Sequence, residues 1–389
     1  MKGKSLNGST YGFQLTIKEL LNGPRLNAQN QEIVYRDKMR YTYKDLFKRI
    51  NRLGSALTGL GIGRGSTVAV FDYDSHRYLE CFFGIPMVGA TLFTVNWRLS
   101  PDQIEYTINH AGADAIFINT DFLPLLSSIR GKLTSVKTII LLSDEPMLPK
   151  TDLTIDGEYE AMLKAASEDF EFPDLDENTK ATTFYTTGTT GLPKGVYFSH
   201  RQLVLHTLSV CIGVSAHDTP LRFSTADVYM PITPMFHVHA WGFPFIATMM
   251  GVKQVYPGKY EPEMLIKLII KEKVTYSHCV PTILQMLVSS PVAKTIDLTS
   301  WKVIIGGARL SKGLAMAAID LGIQVMTGYG MSETCPVISV SNLKPSMKNY
   351  NNEQKSDIAI KTGMPISLVD VGIISPDGNF LPNDGQTTG

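Results

Sequence analysis

The sequence predicts an α/β fold with two α/β subdomains, in which helices flank largely parallel sheets. Three observations support this prediction. The 389 residues are 44% hydrophobic and 19% charged, which is ample for a large buried core and more than one domain. Short apolar segments typical of buried strands alternate with segments of helical pattern through most of the chain. No internal repeat or low-complexity segment interrupts this alternation.

The alternation begins clearly after a glycine-containing segment at 60–66 (L-G-I-G-R-G-S). Residues 67–73 predict a buried strand, followed by a helix over 76–88 and a further strand over 90–95. A helix over 101–110 then leads into the strand-like run A-D-A-I-F-I. Because the glycines of 60–66 precede the first strand instead of following it, they predict a turn and not a dinucleotide-binding loop.

A second set of alternating elements follows in the later half of the chain. Strands are predicted over 252–256, 274–279 and 302–305. Helices are predicted between them, over 262–272 and 281–289. These elements indicate a second α/β layer.

The composition changes after about residue 340, first to Asn, Ser and Lys and then to short strand-turn-strand patterns around S-P-D-G. We therefore predict a small β-rich subdomain over 338–389, incomplete at its end. The preceding core over 1–337 is expected to divide discontinuously, with 65–215 as one subdomain and 1–64 plus 216–337 as the other.

Bulk composition excludes several classes of protein. Lysine plus arginine (36) balances aspartate plus glutamate (36), so no basic field is present to attract nucleic acid. The four cysteines form no C-x-x-C pair, which argues against a zinc site or a disulfide framework and favours a reducing cytoplasm. We find no secretory signal, and the most apolar run, 81–95, is too short to cross a bilayer. The prediction is a cytoplasmic protein without a transmembrane segment, and peripheral contact with a membrane stays open.

The most informative segment is T-T-G-T-T-G-L-P-K-G at 186–195. Its glycines let backbone N–H groups approach an anion, its threonines add hydroxyl donors, and Lys194 adds a positive charge. An ordinary turn is the alternative, but the coincidence of these groups with a following strand pattern favours a phosphate loop. The loop is not a Walker A motif, because Lys194 lies between Pro193 and Gly195 and is not followed by Ser or Thr.

This loop resembles the phosphate-binding motif of the adenylate-forming superfamily, which comprises acyl-CoA synthetases, luciferase-like enzymes and the adenylation domains of peptide synthetases. Three more segments follow in the family's order. P-M-F-H-V-H-A-W-G at 234–242 resembles the stretch that fatty acyl-CoA synthetases place beside the acyl pocket. G-G-A-R at 306–309 resembles the adenine-side glycine turn, and G-Y-G-M-S-E at 328–333 resembles the second nucleotide motif. Within the superfamily, the sequence is most similar to medium- and long-chain fatty acid–CoA ligases.

The resemblance implies a fold as well as motifs. The large N-terminal part of these enzymes has two α/β subdomains and a distorted β-barrel, and a mobile C-terminal domain of about a hundred residues follows it. We expect this chain to contain the two subdomains and the start of the barrel, and to lack the C-terminal domain. It would then be the ATP- and acyl-binding portion, incompetent alone for the full reaction. Many relatives dimerise, so a homodimer stays open.

The activity implied by the resemblance is ATP-dependent activation of a fatty acid to acyl-AMP with release of pyrophosphate, followed by acyl transfer to CoA. The implied small-molecule partners are therefore ATP, Mg²⁺, a fatty acid and CoA as co-substrate. Because the substrate carboxylate is itself the nucleophile, the protein must mainly neutralise and align the phosphates. Two alternatives stay open: a ligase for aryl or other carboxylic acids, and a truncated, non-catalytic module that binds a nucleotide or acyl group.

The resemblance also assigns roles to individual residues. The catalytic residues are Lys194, Glu333 and His237, and Glu333 would ligate Mg²⁺, which prefers carboxylate and phosphate oxygens. His237, Val238, Trp241 and Gly306 would contact the acyl group, with Trp241 as a gate to its tunnel. A metal site at the two histidines of 234–242 is the less favoured alternative, because no carboxylate or cysteine accompanies them. The residues expected to bind the nucleotide are Thr186, Thr187, Gly188, Thr189, Thr190, Gly191, Lys194, Gly307, Ala308, Arg309, Gly328, Tyr329, Gly330, Met331 and Ser332.

Overall fold

A computed structural model describes residues 5–6, 10–147, 149–187, 191–384 and 386–388 of the chain. Its strands are β1 (Ser5–Leu6), β2 (Thr10–Tyr11), β3 (Glu32–Tyr35), β4 (Met39–Thr42), β5 (Thr67–Phe71), β6 (Thr91–Thr94), β7 (Ala115–Asn119), β8 (Thr138–Leu142), β9 (Gly157–Glu158), β10 (Lys180–Thr186), β11 (Lys194–Ser199), β12 (Val228–Ile232), β13 (Lys253–Tyr256), β14 (Tyr276–Cys279), β15 (Lys302–Ile305), β16 (Gln324–Gly330), β17 (Val337–Val340), β18 (Met364–Pro365), β19 (Ile373–Ile374) and β20 (Phe380–Leu381).

The α-helices are α1 (Asn22–Asn27), α2 (Tyr43–Gly59), α3 (His76–Met87), α4 (Pro101–Ala111), α5 (Leu123–Ile129), α6 (Tyr159–Ala165), α7 (His200–Ser215), α8 (Phe243–Met250), α9 (Pro262–Glu272), α10 (Pro281–Val288), α11 (Lys312–Asp320) and α12 (Asn352–Ala359). Local sequence explains their ends, as α4 illustrates. Ser100, the residue before the helix, forms a capping box with Gln103, and Pro101 occupies the first helical position. Gly112, with φ 61°, caps the helix after Ala111. This left-handed position is one that glycine adopts at little cost.

Two large sheets carry most of the structure. One has seven strands in the order β11-β10-β6-β5-β7-β8-β9, and only β11 runs antiparallel to its neighbour. The other has nine strands in the order β18-β17-β16-β15-β14-β12-β13-β3-β4, parallel from β16 to β3 and antiparallel at both edges. Every residue of β5 and β7 is buried, as expected for strands of a parallel sheet covered on both faces.

A buried aspartate ties the two sheets together. Asp74 follows β5, and its side-chain carboxyl oxygens accept hydrogen bonds from the backbone N–H of Met235 (2.8 Å) and from the hydroxyl of Tyr260. Its backbone carbonyl also accepts the N–H of Gly258 at 2.8 Å. These partners follow β12 and β13 of the nine-stranded sheet. The hydrogen bonds therefore fix the seven-stranded sheet against the segment that contains 234–242.

The structure confirms the α/β fold with largely parallel sheets flanked by helices. The predicted strand over 302–305 and the predicted helix over 262–272 have the observed bounds, and the other predicted elements agree within a few residues. Residues 60–66 form a turn as predicted. The domain boundaries stay a prediction. Beyond residue 340, β18 joins the nine-stranded sheet and β19 pairs with β20 as a separate hairpin, and the described residues form no closed barrel.

Two further observations concern the predictions from composition. Within the described ranges, no helix combines the length and the apolar character that crossing a membrane requires. All four cysteines, Cys81, Cys211, Cys279 and Cys335, are free thiols.

Candidate active site

The candidate active site lies at the carboxyl ends of the parallel strands of the nine-stranded sheet. β12 ends just before the segment 234–242, and β15 ends just before Gly306. β16 runs parallel to β15 as far as Thr327 and continues into Gly328, Tyr329 and Gly330. In open α/β sheets, ligands bind outside the carboxyl ends of the strands. The sheet topology thus brings together the motifs 234–242, 306–309 and 328–333. In the sequence, each motif is separated from the next by about 60 residues or less.

The left-handed turn, residues 238–242, is the most unusual backbone of the site. Its five successive residues have positive φ: Val238 (40°), His239 (59°), Ala240 (48°), Trp241 (57°) and Gly242 (79°). Left-handed geometry costs roughly 1–2 kcal/mol for each residue other than glycine. The four non-glycine side chains are buried, so packing holds the turn in place. Strain of this kind concentrates at functional sites.

A cavity of about 280 Å³ lies between the left-handed turn and β16. All four residues predicted to contact an acyl group line it: His237, Val238, Trp241 and Gly306. Of the predicted nucleotide-binding residues, six line the same cavity: Gly307, Gly328, Tyr329, Gly330, Met331 and Ser332. One cavity therefore joins residues of three motifs that the sequence predicts to bind two different ligands.

Sequence reasoning missed the apolar wall of this cavity. The wall consists of Val210, Phe243, Ile304, Pro336, Val337 and Val340. Phe243 adjoins the motif 234–242, and Ile304, Pro336, Val337 and Val340 lie within several residues of a motif, so proximity to the motifs could have suggested them. Val210 lies within α7, and no local sequence signal distinguishes it from an ordinary core residue.

The motif 328–333, which follows Thr327, has exposed side chains, but its backbone is tightly packed at Gly330. Tyr329 is 46% exposed, and Glu333 is exposed on a short 3-10 helix, Ser332–Thr334. A Cβ on Gly330 would overlap the backbone carbonyl of Pro336, so this position requires glycine. The antiparallel pair of β16 and β17 thereby holds Tyr329 and Ser332 at the cavity.

Glu333 itself does not line the cavity, although its neighbour Ser332 does. Mg²⁺ is usually bound by one or two carboxylates together with substrate phosphates and water. A single exposed carboxylate beside the cavity fits that requirement. Nowhere in the described ranges do three or more His, Cys, Asp or Glu side chains form a metal-binding group.

The predicted phosphate loop connects β10 to β11. These strands pair antiparallel, with Thr186 opposite Lys194. Lys194 is exposed and makes no ion pair with another residue of the described ranges. Thr187 is also exposed, and Gly191 has φ 107°, which favours glycine. Gly188, Thr189 and Thr190 lie outside the described residues.

The structure does not place every predicted residue at the cavity. Thr186, Thr187, Gly191 and Lys194 do not line it, and neither do Ala308 and Arg309, which are exposed beside the lining residue Gly307. Their assignment to nucleotide binding stays a prediction.

His237 lies at the cavity as a neutral base. The residue is exposed on one side, while the protein packed around the rest of it removes part of its hydration. This partial desolvation lowers the pKa of the imidazole, and the positive charge of Arg98 lowers it further. A neutral imidazole can accept a hydrogen bond or a proton. The position therefore suits a contact with the reacting groups.

The other histidine of the segment, His239, has a structural environment. Its ring is fully buried against Phe82, Phe184, Phe198 and Phe245. Neither ring nitrogen has a hydrogen-bond partner among the described residues. Burial lowers its pKa to about 3, and nearby His206 contributes to that shift.

Comparisons with known proteins agree with this geometry. The sequence profile of a family described as AMP-binding enzyme matches residues 25–389. A long-chain-fatty-acid–CoA ligase of Thermus thermophilus is 36% identical over 352 residues, which cover 90% of this chain and 62% of the relative. A 3-methylmercaptopropionyl-CoA ligase of Ruegeria pomeroyi is 38% identical over 343 residues, 87% of this chain and 62% of the relative. This chain thus spans less than two thirds of the length of either relative.

A solved structure supports the fold. The crystal structure of an anthranilate CoA ligase in complex with anthranoyl-AMP superposes with a TM-score of 0.81 at 20% identity, covering 95% of this chain and 68% of that chain.

Proposed function

The chain belongs to the AMP-binding enzyme family, and from this premise we propose that its protein activates a carboxylic acid with an apolar tail as an acyl-adenylate and then transfers the acyl group to CoA. One observation carries the proposal. The apolar wall residues and the nucleotide-motif residues Gly328–Ser332 line one cavity, so an acid bound there would meet a nucleotide at the motif side. Reaction between the two ligands requires such contact.

In the proposed first step, a carboxylate oxygen of the acid forms a bond to the α-phosphorus of ATP, and the bond from that phosphorus to the β-phosphate oxygen breaks. Pyrophosphate leaves with the electron pair of the broken bond. Lys194 would stabilise the phosphate charge, because a unit charge about 4 Å away gains about 4 kcal/mol at an effective dielectric near 20. Bound Mg²⁺ would supply further charge neutralisation, with Glu333 as its protein ligand.

In the proposed second step, the CoA thiolate forms a bond to the acyl carbon of the adenylate, and AMP leaves with the electrons of the acyl–phosphate bond. The chain's contribution would be to keep that carbon at the junction between His237 and Gly306. His237, held neutral by its surroundings, would accept a hydrogen bond there.

The apolar wall supports a fatty acid as the substrate. The segment 234–242 contains no acidic residue that could pair with the amine of an amino acid. The Thermus and Ruegeria relatives are named for a long-chain fatty acid and for 3-methylmercaptopropionate, both acids with apolar tails. Each buried methylene contributes about 0.8 kcal/mol, a roughly fourfold preference, so neighbouring chain lengths would be discriminated weakly. A ligase for an aryl acid is the alternative.

ATP–pyrophosphate exchange tests the proposal. Labelled pyrophosphate enters ATP only when an acid forms its adenylate reversibly, so octanoate, palmitate, benzoate and a set of amino acids can be compared at one concentration. We expect exchange with octanoate or palmitate to exceed exchange with benzoate and the amino acids by at least tenfold. Fastest exchange with benzoate would favour the aryl alternative. In the complete protein, which the panel should use, ATP binding without exchange for any acid would indicate a non-catalytic module.

A further inference from the structure

Arg98 lies at the carboxyl ends of the strands of the seven-stranded sheet, where the phosphate loop also lies. β6 and β10 are adjacent and parallel, with Thr183 opposite Phe93. β6 ends at Thr94 and β10 ends at Thr186. Because the strands are parallel, the residues that follow them lie at the same end of the sheet. Arg98 follows β6 by four residues, and Thr187 follows β10 directly.

Two aromatic rings hold the Arg98 guanidinium in place. Its central carbon lies 5.1 Å from the ring centroid of Trp97 and 5.9 Å from that of Phe236. The two rings contact each other edge to face at 5.4 Å. The hydroxyl of Thr94 donates to the backbone carbonyl of Phe236 at 3.0 Å. Because Phe236 immediately precedes His237, these contacts hold the guanidinium near the candidate catalytic histidine, whose pKa its charge lowers.

The charge of Arg98 is not neutralised by another described residue. It makes no ion pair there, whereas Arg49 and Arg77 each pair with carboxylates at 2.6 Å. The buried carboxyl of Asp74 lies within the electrostatic reach of Arg98, but its oxygens accept hydrogen bonds from Met235 and Tyr260. Burial also raises the pKa of Asp74 to about 8, so the group is mostly uncharged at neutral pH. A fixed, exposed and uncompensated guanidinium favours an anionic ligand.

Arg98 does not line the 280 Å³ cavity. An anion that reaches it would therefore lie outside the apolar wall residues that would hold the acid, and the pairing of β6 with β10 places it at the strand ends that carry the phosphate loop. We propose that Arg98 binds the β- and γ-phosphate oxygens of ATP and the pyrophosphate formed from them, as a second cation beside Lys194. The inference rests on the proposed function. A guanidinium suits this role, because its planar N–H groups can bind two phosphate oxygens at once.

The alternative is a purely structural role, in which the Arg98 stem and guanidinium only pack Trp97 against Phe236. The two roles differ in their ligand dependence. Loss of a contact to the terminal phosphates weakens the binding of ATP and pyrophosphate. The binding of AMP, which lacks those phosphates, is nearly unaffected. Disordered packing beside His237 would weaken the binding of all three ligands together.

The test is the Kd of ATP, AMP and pyrophosphate, each with Mg²⁺, for the wild-type chain and for Arg98→Gln, Arg98→Lys and Arg222→Gln. Arg222 is a matched control: it is exposed, makes no ion pair with a described residue, and precedes β12 at the opposite edge of its sheet. We expect Arg98→Gln to raise the Kd of ATP and pyrophosphate about tenfold or more, as for the loss of a charged hydrogen bond. The Kd of AMP should change less than about twofold. Arg222→Gln should match the wild type.

Arg98→Lys keeps the charge but loses the planar fork, so we expect an intermediate loss for ATP and pyrophosphate and none for AMP. This variant decides the matter if Arg98→Gln fails to fold, as judged by its circular dichroism and thermal unfolding. Equal weakening of AMP and ATP, or unchanged ATP and pyrophosphate affinity, overturns the role of Arg98 and leaves the proposed function standing. A wild-type chain that binds none of the three ligands overturns both proposals.

Discussion

The indole of Trp241 fills the space directly above Gly306. A Cβ built on Gly306 would lie 2.8 Å from Cη2 and 3.2 Å from Cζ3 of Trp241, and 3.0 Å from the backbone carbonyl oxygen of Gly328. The left-handed turn, the end of β15 and the end of β16 therefore meet at one point with no room for a single methyl group. If an acyl group passes this point, the indole has to move.

Substitution Gly306→Ala should impair acid activation. The added methyl group would push the indole toward the cavity or displace Gly328, and overpacking of this kind costs about 1–3 kcal/mol. We expect kcat/KM for the acid to fall at least tenfold in pyrophosphate exchange. Gly313→Ala is the control, because a Cβ there meets nothing within 4 Å. Wild-type acid kinetics in Gly306→Ala would show that the indole does not restrict the acid.

Substitution Lys194→Ala should slow adenylation about a hundredfold or more, the scale for removal of a preorganised charge from developing negative charge. The exchange rate at saturating acid measures this effect. Lys180→Ala is the matched control: it lies at the other end of the same hairpin, with its ammonium 5.5 Å from the ring centroid of Tyr197. Equal losses in the two variants would assign the effect to the stability of the hairpin and not to phosphate binding.

Substitution Glu333→Gln should raise the Mg²⁺ concentration that half-saturates the exchange reaction by about tenfold. The amide keeps the size of the side chain but removes the charge that Mg²⁺ prefers in an oxygen ligand. A titration of Mg²⁺ at fixed total ATP gives this value. Glu353→Gln, whose carboxylate pairs with Lys312 on the surface, serves as the control. An unchanged Mg²⁺ dependence in Glu333→Gln would remove Glu333 from the metal site.

The sequence predicted many elements of the fold well, and for a physical reason. Strands such as 302–305 (K-V-I-I) are mostly apolar because both faces of a parallel sheet are covered, and such runs are visible in the sequence. Gly306 directly follows the predicted strand 302–305, whereas the strand that carries Gly328, β16, was not predicted and is seen only in the structure. The comparisons confirmed the resemblance to the adenylate-forming superfamily.

What the sequence could not give depends on three-dimensional packing. Val210 faces the cavity from α7, almost a hundred residues from Ile304, and only the tertiary fold brings the two together. The left-handed turn was equally hidden, because Val238, Ala240 and Trp241 do not ordinarily adopt positive φ. Arg98 carried no signal of its own until β6 was seen beside β10.

The isolated imidazole of His239 gives a prediction about stability. In the folded chain both of its nitrogens are buried without a partner among the described residues, which is costly compared with an apolar ring. Four phenylalanine rings already surround the position. We therefore expect His239→Phe to raise the free energy of unfolding at pH 7 by about 1 kcal/mol, after part of the gain is lost to the larger ring.

The pH dependence of this gain identifies its cause. Burial lowers the folded-state pKa of His239 to about 3 from an ordinary value of 6.5. Between these values the unfolded chain binds a proton that the folded chain does not, so His239 makes the wild type less stable as the pH falls below 6.5. The effect approaches about 1.4 kcal/mol per pH unit. Because phenylalanine cannot bind a proton, the advantage of His239→Phe over the wild type should grow by about 2 kcal/mol between pH 7 and pH 5. Urea unfolding at both pH values measures it, with His217→Phe as the control. An advantage that stays constant with pH would mean that His239 takes up its proton in the folded protein as it does in the unfolded chain, which would contradict the dry, partner-free environment of its ring among the described residues.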